Sequence, residues 1–360
     1  MKIIPHRPDL QQEYKNEFKE NNIYPFNKIG RVITNKDTGE IKRWCNELDS
    51  NLDIEGNPIN LDPNTEDVMV HIPAFYCKRT WNGDVLTDSI LNKVPTTPTL
   101  YGVGYQVHPA FLRPDNTIRP YILVGAFMGS IKNSQLRSLI NANEVTNKTI
   151  ATMRDMARQG RSTNFNIITI DIVNAIQFIY KVAFHNLNSQ QIIGEDLTNR
   201  PPSYLTGQTF YLGNRSGILA SSDDGKVSCS LFGIESPFGY NSKVVDGIIS
   251  YGNKFKITHD PHKYGNYEEY EIEVTKNKLT SRYIKKIIKN TIYNIADEVH
   301  NLSTEYYCDN CFHQNLDECC IYITSGFVDQ RYACGIFAYR DSYKIADLAP
   351  FFSTRLCYLP

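Results

Sequence analysis

Residues 172–186 read IVNAIQFIYKVAFHN, and their spacing decides the fold class. Ile172, Ile176, Ile179 and Ala183 recur at i, i+4, i+7 and i+11, with Val173, Tyr180 and Phe184 widening the stripe, which predicts a helix with one apolar face. Thr169 or Asp171 is placed to cap its start. Such a face has to lie against a sheet. A shorter helix is expected just upstream, over about 148–159, stopped by Gly160, whose missing Cβ suits a left-handed position after the last turn.

Both flanks of this helical segment read as strand and turn. Upstream, RVIT (31–34) and IKRW (41–44) bracket Asp37, Thr38 and Gly39, a hairpin signal. VMVHI (68–72) is a strand closed by Pro73, and Tyr121–Val124 is another, opened by Pro120. Residues 78–120 read as loop-rich, punctuated by Pro95, Pro98, Pro109, Pro114 and Pro120. Downstream of Tyr204, glycines separate short segments; 270–274 alternates as a half-exposed strand, and apolar runs close the chain at 321–324, 335–339 and 356–359. Lys285, Lys286 and Lys289 read as the wet face of a helix within 282–290. The class is therefore α+β, with one large domain over 27–360 and a polar arm over 1–26.

With 41% hydrophobic and 21% charged residues the chain can fill a core. A formal charge of −1, with Lys and Arg scattered, argues against a nucleic-acid partner held by phosphate neutralisation. No apolar run is long enough to span a bilayer, and the N-terminus lacks the apolar core of a signal peptide. Folding in a cytosol is the expectation, where the nine cysteines need not pair. The 23 tyrosines supply stiff area with a polar tip, which serves a β-rich core or a recognition surface.

Five segments in order carry a resemblance: DVMVHIPAFYCK (67–78), HPAFLRPDNTIRPYILVGAFMG (108–129), the stretch 153–194 that holds the long helix, GIESPFGYNSKVVDGI (233–248) and FFSTRLCYLP (351–360). Together they resemble phage tail and fibre structural proteins that share the C-type-lectin-like fold of formylglycine-generating enzymes. The resemblance implies a twisted antiparallel sheet flanked by two helices, with long irregular loops holding a ligand face near the C-terminus. It implies a virion protein, assembled in the host cytoplasm and contacting the host surface through receptor or glycan binding. A decoration, collar or connector subunit that binds other virion proteins is the alternative. The sequence departs from the family where a Trp pair is expected after the PFG turn, at Gly239–Gly247, and in the stretch CDNCFHQNLDECC (308–320).

Formylglycine-generating enzymes bind copper through two closely spaced C-terminal cysteines, whereas here only Cys334 and Cys357 stand in that region, far apart. Cys308, Cys311, His313 and Cys319, with Cys320, have the residue types and CxxC start of a zinc knuckle. Zn²⁺, disulfides formed after release, and free thiols all remain open for that cluster. Glu268, Glu269, Glu271 and Glu273 read as a solvated face rather than a glycosidase pair. No phosphate-binding glycine loop, nucleophile elbow or paired-histidine zinc motif occurs, so no enzyme is expected.

The expected ligand surface is Asp329, Arg331 and Tyr332 before one strand and Tyr339, Arg340, Asp341 and Tyr343 after it, a mixture of stacking area and donors on loops. The competing reading is that Arg331 or Arg340 pairs with a neighbouring Asp and pins the loops. Asn188–Gln191 reads as a helix-ending turn. Expected partners are other virion proteins through residues 1–26 and a host-surface glycan or protein. A homo-oligomer is left open, since no heptad seam specifies one.

Overall fold

Asn35 shows how local chemistry starts the first sheet. Its side-chain oxygen accepts from the amides of Asp37 (2.9 Å) and Thr38 (3.1 Å), and Gly39, at φ +75°, donates to the Asn35 carbonyl (2.9 Å). The turn folds Ile41–Trp44 back on Gly30–Asn35 as the sequence predicts. These strands form the edge of a six-stranded antiparallel sheet in a computed structural model that describes residues 22–100, 103–199, 204–218, 223–277, 282–289, 291–302, 307–314, 316–325 and 333–360. The order is Phe165–Ile167, Leu356–Tyr358, Tyr121–Gly125, Glu66–Pro73, Gly30–Asn35, Ile41–Trp44. The segments quoted from both ends of the chain therefore meet in one sheet.

Successive strand residues point to opposite faces, and each face fills its own core. Ile33, Val68, Val70, Ile122 and Val124 join one cluster, and Val32, Met69, Leu123, Phe165 and Leu356 join the other. Helix α1 (Ile150–Arg158) gives Ile150, Met153 and Ala157 to the second cluster, while α2 (Ile170–Phe184) belongs to the first. Each large side chain buried here contributes roughly 1.5–3 kcal/mol. Thr149 and Thr169 cap the two helices by accepting from Thr152 N and Ile172 N. A short third helix, α3 (Ser189–Ile193), starts at Asn188, whose side chain accepts from Gln191 N. The expected helix-ending turn is thus the cap of a new helix.

α2 is buried on nearly all sides, Val182 being its one residue not buried. Its polar stripe is consumed by long-range hydrogen bonds. Asn174 meets His108 Nε2 (2.9 Å) and donates to the Ile292 carbonyl (3.0 Å). Gln177 donates to the Ile336 carbonyl (2.8 Å) and accepts from Asn294 (2.7 Å). Lys181 donates to Asn294 Oδ1 (2.8 Å) and pairs with Asp88, which Arg79 also grips through Nε (2.8 Å) and Nη2 (2.9 Å).

A nine-stranded sheet takes up the second half: Ile272–Thr275, Lys254–Ile257, Ser242–Tyr251, Cys320–Thr324, Tyr339–Lys344, Asn310–Phe312, Arg282–Ile287 and Ala296–His300 in order, with Phe352–Ser353 parallel to Ser242–Tyr251. Arg154 of α1 clamps it with two bonds to Asp246, at 2.7 and 3.0 Å. The architecture is a sheet-rich α+β fold with few helices.

Two expectations need correction. Residues 282–287 form a strand, not a helix, and Lys285 and Lys286 reach Glu298 across the ladder (3.2 and 3.1 Å). The 78–120 segment is loop-rich as expected, with short strands set in it: Tyr76–Asn82, Val85–Ile90, Thr99–Leu100 and Tyr105–Val107 make a four-stranded sheet, its first hairpin turned at Gly83 (φ +61°). The packed domain begins ahead of residue 27, since Phe26 is buried, Tyr24 N donates to Asn92 (2.8 Å) and Tyr24 OH donates to the Ala74 carbonyl. Residues 1–21 lie outside the described residues. Among the described residues no helix is long and apolar enough to cross a membrane.

Candidate functional site

Tyr339–Lys344 runs between Cys320–Thr324 and Asn310–Phe312, so Tyr339, Arg340, Asp341 and Tyr343 of the expected ligand set are on an internal strand rather than on loops. Tyr339 and Asp341 face inward and are buried, which removes them from any exposed surface. Arg340 and Tyr343 are half-buried: the Arg340 guanidinium lies 5.5 Å over the Phe312 ring, and Tyr343 packs edge-on against Phe352 at 5.0 Å. Asp329, Arg331 and Tyr332 lie outside the described residues.

The inward residues and the expected metal cluster share one buried network. Tyr339 OH meets His313 Nε2 at 2.8 Å and accepts from Ala296 N at 2.7 Å. Asp341 accepts from Gln314 N (3.0 Å), lies 3.6 Å from His313 Nδ1 and pairs with Lys276, whose ammonium also donates to the Gln314 carbonyl (3.0 Å). Burial alone would raise the Asp341 carboxyl, but His313 and Lys276 outweigh it and hold the group below the usual carboxylate range. Nε2 of the imidazole is thus taken by tyrosine, while Nδ1 faces the Asp341 carboxylate without a hydrogen-bond partner. Cys311 and Cys320 are buried, Cys319 is half-buried, and none of the three is in a disulfide. Burial pushes the Cys311 thiol up to about 12, away from the thiolate that metal binding needs. Among the described residues no three His, Cys, Asp or Glu side chains converge as a metal set, so Cys308, Cys311, His313 and Cys319 are not brought together as ligands.

The acidic run 268–273 keeps Glu268, Glu269, Glu271 and Glu273 exposed, as a solvated face. One arrangement that sequence reading misses is His259, whose Nδ1 lies 2.9 Å from Asp171, with Tyr293 OH donating to the same carboxylate (2.8 Å). The Asp171 charge raises the His259 pKa. No serine, threonine or cysteine hydrogen-bonds this imidazole among the described residues, so the third member of a nucleophilic site is missing.

Among the described residues two open concavities bear on binding. A groove of about 310 Å³ runs along the four-stranded sheet, lined by Lys78, Trp81, Gln106, Lys289 and Thr291 among others. Lys289 Nζ lies 5.5 Å over the indole, Lys78 Nζ lies 5.7 Å over Tyr105, and the Trp81 Nε1 donor is buried with no partner. A larger cleft of about 380 Å³ opens beside the last residues of the chain, where Leu359 N donates to the Asn164 carbonyl (3.0 Å). Arg113, Arg119 and Arg158 line it with Thr163, Asn166 and His262, and no Asp or Glu does. Turn and proline spacing could have hinted at the first site; nothing periodic marks the second, whose arginines are brought together only by the fold. No protein-family model matches this sequence, and no curated protein matches it.

Proposed function

We propose that this chain is a phage virion structural protein, tail- or fibre-associated, whose C-type-lectin-like domain contacts the host surface by binding a glycan or protein receptor. The role is recognition rather than catalysis, with the residues that precede the packed domain as the docking arm for other virion proteins. The observation that carries this reading is the Trp81 groove. An indole, an amide and two ammonium groups line it, Lys289 also pairing with Asp84 (2.9 Å) and Lys78 donating to the Val103 carbonyl (3.0 Å). Aromatic faces flanked by hydrogen-bonding groups suit sugar rings and receptor side chains alike. The five-segment sequence resemblance points the same way.

The test is binding of purified protein to host cells and to their isolated envelope polysaccharide, with Trp81→Ala and Gln106→Ala alongside. Retention should fall about tenfold in Trp81→Ala, the loss of roughly 1.4 kcal/mol. Equal retention by parent and both variants would remove the groove from the reading. Antibody labelling of intact particles should place the chain at a distal tail site. An enclosed position would replace host contact with a collar, connector or decoration role.

A further inference from the structure

We infer that the cleft between Arg113, Arg119 and Arg158 is a binding site for a saccharide bearing an oxyanion, either carboxylate or phosphate. Some buried cations of the fold are answered by acids, Arg137 by Asp67, Arg154 by Asp246 and Arg79 by Asp88, whereas Arg31 and Arg355 are held in the core by backbone carbonyls and hydroxyls. None of the three cleft arginines has a carboxylate side chain as a partner among the described residues. Arg113 donates to Thr117 Oγ1, to the Ile118 carbonyl and to a main-chain oxygen of Pro360, the last residue, while Arg158 donates to Asn166 Oδ1 and the Pro261 carbonyl, and Arg119 to the Leu112 carbonyl. The acceptors of Arg119 and Arg158 are neutral and aim the two guanidinium groups without discharging them.

Two further observations point to a missing ligand. Arg119 is only 5% exposed and its Nε has no partner; Asn166 is fully buried and its Nδ2 has none. Buried donors are ordinarily satisfied, and both of these belong to residues that line the cleft. Burial lowers the Arg119 pKa, and the nearby Asp171 carboxylate is already committed to His259 and Tyr293. An oxyanion between the arginines would accept charge-assisted, bidentate bonds. At about 380 Å³ the cleft is in the size range of small-molecule sites and larger than a bare oxyanion needs. The exposed Thr163 hydroxyl at its edge offers a neutral partner suited to sugar hydroxyls. This site does not depend on where the protein sits in a particle.

Titration calorimetry of the full chain with glucuronate, glucose 6-phosphate, glucose and inorganic phosphate tests the inference. Both acidic sugars should bind at least tenfold more tightly than glucose and than inorganic phosphate, and more weakly as salt rises. Whichever of the two leads identifies the oxyanion. Arg113→Gln, at a half-buried position, and Thr163→Asp, at an exposed one, should each weaken the acidic sugars about tenfold while the far-ultraviolet spectrum stays unchanged. Equal binding of glucose and glucuronate, no binding by either acid, or acidic-sugar binding untouched by both substitutions would overturn the assignment. Inorganic phosphate matching the acidic sugars would reduce the site to a bare oxyanion pocket and refute the saccharide.

Discussion

Replacing Asp341 with Asn should cost stability and leave surface binding alone, the reverse of what its place in the sequence suggests. The side chains of Asp341 and Lys276 are both 0% exposed. Asn keeps the volume and can still accept from Gln314 N, but it leaves the Lys276 ammonium with one carbonyl and the Phe255 ring, 5.0 Å away. Removing one partner of a buried pair costs about 3–5 kcal/mol, chiefly through the charge left uncompensated, and the retained hydrogen bond places this variant near 3 kcal/mol. Adding Lys276→Met removes the stranded charge, so the double variant should recover at least ~2 kcal/mol relative to additivity. Urea unfolding followed through Trp44 and Trp81 measures all four corners of the cycle. The pair also predicts a pH signature. Because the folded carboxyl titrates below its unfolded value, its contribution is complete above about pH 4 and is lost as pH falls through the lowered folded pKa. Asp341→Asn should lack that acid component. An unchanged urea midpoint for the single variant, or strict additivity in the cycle, would refute the network argument.

Two more outcomes follow from the same structure. His108 is fully buried, accepts from Ala110 N on Nδ1, and is pushed by burial from 6.5 to about 4. Its neutral form therefore stabilises the fold fully above pH 6.5, and by pH 4 about 3 kcal/mol of that is lost; urea midpoints from pH 7 to 4 should fall more steeply for the parent than for His108→Gln, and parallel slopes would contradict this. Gly213 has φ +59° and ψ −130°, a region essentially reserved for glycine, and an added Cβ would lie 2.3 Å from the Glu47 carbonyl oxygen. Gly213→Ala should lower stability by about 3 kcal/mol or more, read as a thermal-midpoint drop, and a drop under one degree would mean that the 47–48 backbone yields freely.

The helices were legible because their information is local. A 3.6-residue apolar period and a threonine one residue before the first turn suffice to locate α2, and Thr169 does cap it. What the period does not carry is the fate of Asp171, Asn174, Gln177 and Lys181. Their burial depends on partners such as Asn294 and Ile336, more than a hundred residues away in sequence. The lysine-rich strand was misread for an identifiable reason. Ile284 and Ile287 stand three apart, as on a helix, but the ladder to Ala296–His300 slips between Ile284 and Lys286 and again between Lys286 and Ile287. Bulges of this kind shift the two-residue alternation, so both isoleucines turn inward.

Tyr339 and Asp341 failed as surface residues for a related reason, and the reason separates scaffold charges from recognition charges. An acid at an inward strand position breaks the apolar alternation, so the segment reads as loop until Lys276, 65 residues away, arrives to neutralise it. Residue type alone cannot say whether a charge near the end of the chain binds a ligand or closes an internal pair; the partner can. Asp341, Asp246 and Asp88 each have a cation in contact, so their removal strands a charge inside the protein. Arg119 and Arg158 have neutral acceptors and line an open cleft, so their charge is available to something outside it, unlike that of Arg31 and Arg355, whose neutral acceptors lie in the core. Substitutions in the first set should move the unfolding midpoint, whereas Arg113→Gln should move affinity for an anion. The reverse pattern in either set would show that the pairing is not what divides them.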